Sequence, residues 1–78
     1  MMEFHEISIR LKEVVSQIEK KEKVLDKDIA HALSLDPQYY AVIKKRKKIP
    51  YEAIAHFCKK YRLSINWVLL QQKPKYLT

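Results

Sequence analysis

The 78-residue chain contains no glycine, where average usage of roughly 7% would place about five. That absence excludes phosphate-cradling Walker A loops, dinucleotide fingerprints, G-x-S-x-G nucleophile elbows and Gly-Gly clamps for RNA backbone. It also removes Asn-Gly and Asp-Gly hairpin turns, which argues against a β fold. Cys58 is the only cysteine, so no internal disulfide can form and nothing points to an oxidising compartment. The longest apolar run, Trp67-Val68-Leu69-Leu70, is far short of the roughly 20 residues of a membrane span. The start, MMEFHEISIR, lacks the basic and apolar regions of a signal peptide. The expected location is cytoplasmic.

At 32% charged and 47% hydrophobic residues, the chain is expected to fold as one small domain. Its charge is divided unevenly. Residues 1–36 carry six bases and eight acids, a net of −2, whereas residues 37–78 carry ten bases and one acid, Glu52, a net of +9. The two halves sum to the overall +7. Such asymmetry within one domain predicts a basic face and a polyanionic partner, although lysine-rich solubilisation of the surface would give the same count.

Apolar periodicity predicts five helices. Phe4, Ile7, Leu11, Val14, Val15 and Ile18 recur at spacings of three and four on a first helix over about 3–20. Asp26 is the expected N-cap of a second helix with Ile29, Ala30 and Leu33 inward. Pro37, barred from continuing a helix but favoured at its first position, starts a third with Asp36 as cap and Tyr40 and Ile43 inward, running to about Arg46. Ile49-Pro50 begins a fourth, with Ala53, Ile54, Phe57, Cys58 and Tyr61 on one face. Ser64 caps a fifth, where Trp67, Val68 and Leu70 are core candidates. Pro74 ends regular structure, so residues 1–72 form the predicted all-α domain and residues 73–78 a C-terminal tail.

Residues 26–45 fit the spacing of a helix-turn-helix, in which two crossing helices need a small residue at their contact and apolar residues around it. Ala30 takes the contact position, flanked by Ile29, Leu33, Leu35, Tyr40 and Ile43. Further on, KKRKKIPYEAIAHFCKKYRLSINWVLL resembles the DNA-binding domain of phage CI-type repressors. Lys44, Arg46, Ile49 and Pro50 match that family's basic W-K-x-R-x-x-I-P segment. Leu63, Ser64, Ile65, Asn66, Trp67, Val68 and Leu69 match its G-V-S-L-D-W-L-L-x-G close, and FHEISIRLKEVV fits its first helix. The resemblance covers about residues 4–70 and implies a compact five-helix, lambda-repressor-like helix-turn-helix domain. Some departures stand out. Ile43 replaces a tryptophan, while Ser34, Arg62 and one of Gln71 or Gln72 replace glycines. If the geometry is kept, Ser34 and Arg62 are expected at or near left-handed backbone conformations.

The resemblance implies sequence-specific binding of double-stranded DNA by a small transcriptional regulator, a repressor in its family's pattern, with the recognition helix 37–46 in the major groove. Gln38 is then the first candidate for base readout, since its amide can pair bidentately with adenine. Val42, one turn on, can press on a thymine methyl or pack against a loop, and Lys45 can reach guanine or phosphate. Tyr39, Lys44, Arg46, Lys47 and Lys48 are the candidate backbone contacts, which give register and affinity but no sequence information. One such unit spans only a half-site, so homodimerisation on a pseudo-palindrome is expected. Members of that family commonly add a C-terminal oligomerisation and regulatory domain. A chain without one is expected to pair through its fifth helix and tail or to depend on another protein.

Neither catalysis nor a cofactor is expected. His56 and Cys58 fall on different faces of their helix, and His5 and His31 have no partner at ligand spacing, so no metal site is expected. Asp26 and Asp28 suit a helix start better than a catalytic pair, and Cys58 reads as a buried small hydrophobe. The alternative function is a helical protein-interaction module, an adaptor or antitoxin whose basic face captures an acidic partner.

Overall fold

The chain, described for residues 3–77 in a computed structural model, consists of five helices joined by short turns, with no strand among those residues. In order these are α1 (Phe4–Glu19), α2 (Asp26–Ala32), α3 (Pro37–Lys45), α4 (Tyr51–Tyr61) and α5 (Ile65–Leu70). Each contributes to one core. Phe4, Ile7, Leu11, Val14 and Val15 of α1 meet Ile29 and Ala30 of α2, Tyr40 and Ile43 of α3, Ile54, Phe57 and Cys58 of α4, and Trp67 and Val68 of α5. Ala30 is wholly buried, as close approach of α2 to its neighbours requires.

Two expected core residues lie outside it. Ile18 is 40% exposed, because α1 runs past its last covering neighbour and leaves a groove there. Leu70 is 46% exposed, since α5 ends on it and Gln71 turns the chain away; the preceding Leu69 is half-buried instead.

Three of the four expected helix starts follow the local chemistry. Asp36 Oδ1 accepts from the amides of Gln38 at 2.7 Å and Tyr39 at 3.3 Å, with Pro37 first in the helix. Ser64 Oγ accepts from the Trp67 amide at 3.4 Å. Pro50 immediately precedes α4. Asp26 is not the cap of α2. Leu25 occupies that position, and Asp28, three residues on, accepts from the Leu25 amide at 2.9 Å, so one acid reaching back replaces a capping side chain.

Asp28 is buried and also takes the Lys21 ammonium at 3.1 Å. The Leu25 amide first, and then Lys21, stabilise the carboxylate and lower its pKa from the ordinary value. A depressed folded pKa contributes stability above the unfolded value that is lost as pH falls through the folded one. Asp28→Asn should therefore lower the urea midpoint at neutral pH. The gap from the unaltered protein should close between about pH 5 and about pH 2; a gap constant over that range would mean that the charge contributes nothing.

The helix ends show how the chain turns without glycine. Lys20, Ser34, Lys47, Arg62 and Gln71 all have φ between 55° and 58°, the left-handed region that glycine usually fills. After four of the five helices the next amide returns to the carbonyl five residues back: Lys21 to Ser16, Leu35 to Ala30, Lys48 to Ile43 and Leu63 to Cys58, at 2.8–3.1 Å. This is the closing bond of a Schellman turn. The sequence predicts this conformation at Ser34 and Arg62, and Gln71 is one of two candidates for the third glycine position; Lys20 and Lys47 carry no such signal. α5 closes more loosely, from Gln72 to Asn66 at 3.3 Å.

Two long-range ties complete the fold. Arg10 donates from Nε to the Val68 carbonyl at 2.6 Å and from a terminal nitrogen to that of Leu69 at 3.1 Å, so a cation on α1 serves the C-terminal end of α5. The segment after Pro74, which the sequence marks as a tail, returns to the α4–α5 turn. The Ser64 amide donates to the Lys75 carbonyl at 2.8 Å and the Leu77 amide to that of Arg62 at 2.7 Å. Lys75 Nζ meets Glu13 at 2.7 Å and lies 4.8 Å from the Trp67 ring centre.

Candidate nucleic-acid interface

The candidate site is built on α3 and the chain that leaves it. α2 and the turn Leu33–Asp36 hold α3 through the buried Tyr40 and Ile43. The burial of those two residues sets which way the rest of the helix points. Gln38, Val42 and Lys45 follow one another at spacings of four and three, and all three are exposed, so they make a single outward line. Val42 is open to solvent rather than packed against a loop. The amide of Gln38 is engaged by the Asp36 cap, which anchors the backbone from which its side chain projects.

Tyr39 is exposed but lies to one side of that line. It borders a groove of about 880 Å³ between the end of α1, the α2–α3 turn and α4, together with Ile18, His31, Leu35, His56 and Tyr61. Ile43 fills the core position expected of it.

The basic segment is not uniform. Between Pro37 and Tyr51 stand five bases and no acid. Lys45, Arg46, Lys47 and Lys48 are exposed and take part in no ion pair among the described residues. Lys44 differs. One turn beyond Tyr40, it lies on the flank of α3 that faces α2, and its Nζ bonds Asp26 Oδ2 at 2.7 Å. Lys44 and Lys47 also border a smaller cleft at the start of α1, beside Glu3, His5 and Ser8. In sequence all five bases look alike; the pairing of Lys44 depends on where the fold sets the first residue of α2.

Tyr40 brings a second feature to the same corner. Its hydroxyl is buried and has no hydrogen-bond partner among the described residues. Burial first, and the Asp26 charge second, push its pKa up to about 12.

Burial pushes the Cys58 thiol up to about 11, the opposite of what an attacking thiolate requires. Among the described residues no three His, Cys, Asp or Glu side chains gather where they could hold a metal ion. No helix of the described residues is long and apolar enough to cross a membrane.

The fold thus defines a small five-helix, all-helical domain with a basic surface at and after its third helix. The chain matches no family model, no curated protein and no solved structure.

Proposed function

We propose that this protein is a sequence-specific binder of double-stranded DNA acting as a small cytoplasmic transcriptional regulator, a repressor in the pattern of the phage CI-type domains it resembles. The observation that carries the reading is the outward line Gln38, Val42 and Lys45 on a helix buried only through Tyr40 and Ile43, continued by bases that join no ion pair among the described residues. A helix so presented fits the major groove, where each base pair displays its own donor and acceptor pattern. Gln38 and Val42 read bases, and Lys45 reaches guanine or phosphate. Arg46, Lys47 and Lys48, with Tyr39 as a hydroxyl donor and Lys44 once freed, hold the backbone. In this reading two copies bind a pseudo-palindrome as a homodimer.

Selection from a random duplex library tests the proposal. Enrichment of one motif is expected; retention that salt abolishes without any enrichment would leave only polyanion binding and favour the protein-interaction module. Gln38→Ala should relax the preference at one base position per half-site, costing about 1–3 kcal/mol of discrimination there. Equal weakening on the selected and on random duplexes would remove its assigned role.

A further inference from the structure

The Lys44–Asp26 pair joins the start of α2 to the far end of α3, 18 residues apart in sequence. Both side chains are nearly half exposed, at 45% and 48%, so water and salt reach the pair and it opens readily. It is nevertheless the one place where a base of the segment 44–48 is held by an acid among the described residues. The neighbouring acid, Asp28, is committed to the Leu25 amide and Lys21 and does not compete for Lys44. The Asp26 side chain does not cap its own helix start, where a cap is expected; it bonds Lys44 instead.

We propose that Asp26 is a latch on Lys44: its carboxylate holds the ammonium in the free protein, and DNA engages Lys44 only by exchanging that carboxylate for a backbone phosphate. The inference rests on the duplex-binding reading above and deepens it. Because Lys44 must give up one anion to gain another, the exchange adds little affinity on DNA of any sequence. Asp26 also stands as a negative charge close to the phosphates. Both effects lower sequence-independent binding, which is made of such contacts, and leave the base-reading line Gln38, Val42 and Lys45 untouched. Asp26 therefore tunes the sequence-independent part of the affinity, on selected and random duplexes alike, while touching no base. When Lys44 leaves, the carboxylate is not stranded, because it is open to water.

The test is the affinity of a labelled random-sequence duplex across a salt series, for the unaltered chain, Asp26→Asn, Lys44→Gln and the double variant. Asp26→Asn should bind up to about 8-fold more tightly at 0.1 M salt, with a log–log salt slope steeper by up to about 0.9, the value of one phosphate contact. In the Lys44→Gln background the same change should bring a clearly smaller gain, that of relieving the Asp26 repulsion alone. If Asp26→Asn gains nothing while the unaltered chain binds, the latch is overturned. An equal gain with and without Lys44 overturns it as well, because Asp26 would then act by repulsion alone. Should the unaltered chain bind no duplex at any salt, the duplex reading itself falls and the latch with it. Far-ultraviolet circular dichroism checks that α2 is intact, and Asp26→Ser, which keeps a residue suited to helix starts, replaces Asp26→Asn if it is not.

Discussion

Lys47→Gln combined with Lys48→Gln should weaken binding to every duplex, selected or random, and flatten the salt dependence. Both side chains are exposed just beyond α3, and neither is engaged by an acid among the described residues. They are therefore free to condense on phosphate without first surrendering a partner, unlike Lys44. Removing one lysine–phosphate interaction should reduce the log–log slope by about 0.9, which at 0.1 M salt is about 8-fold in affinity, and removing two about 60-fold. The motif recovered from a random library should stay the same, because such interactions set register and affinity rather than base identity. Stability should hardly change, since no packing is removed. Fluorescence anisotropy over a salt series measures the slope directly. A slope equal to that of the unaltered chain would show that neither lysine reaches the backbone.

The second large effect is on stability. Ser34→Gly with Arg62→Gly should raise the unfolding free energy by up to about 2 kcal/mol. Ser34 at φ 57° and Arg62 at φ 56° hold a Cβ where only glycine is free of strain, at about 1–2 kcal/mol each. Glycine returns part of this through the greater entropy of the unfolded chain, about 0.5–1 kcal/mol, leaving a net gain of up to about 1 kcal/mol per site. The two sites end different helices, α2 and α4, and their contributions should add. In a domain of this size the sum corresponds to a rise of roughly 10 °C in Tm. An unchanged or lowered urea midpoint would show that these turns are relaxed around their side chains. Lys47 is left alone here, because a glycine there would also delete a proposed phosphate contact.

The residues that can be read from the sequence share one property: their behaviour is set by near neighbours along the chain. Asp36-Pro37 caps and starts α3 because an acid before a proline satisfies the free amides of the next turn wherever the helix lies. Ser64 serves α5 in the same way. Periodicity places Phe4, Ile7, Leu11, Val14 and Val15 on a buried stripe but does not say where the cover ends, so Ile18 fits the same stripe and instead borders a groove. The turns at Ser34 and Arg62 are visible because each departs from a glycine in a resembling family, and each is followed by a leucine. Lys20 and Lys47 sit inside runs of lysine where one residue looks like the next, and their left-handed backbone leaves no trace. At α2 the sequence favours Asp26 as the cap and marks Asp28 only as a helix-start acid; distance to Leu25, Lys21 and Lys44 gives the two acids other roles.

The missing glycines, the five helices and the concentration of bases after residue 36 belong to the sequence alone, because composition is additive and helical periodicity is a local code. That code also made α3 a helix with Gln38, Val42 and Lys45 on one outward line. The tertiary structure decided which base of the segment meets an acid, that Arg10 reaches the end of α5, and that Lys75 and Leu77 return to the α4–α5 turn. Each is a contact between residues far apart in the chain, made only after the core brings their backbones together, and no pattern of neighbours encodes such a distance.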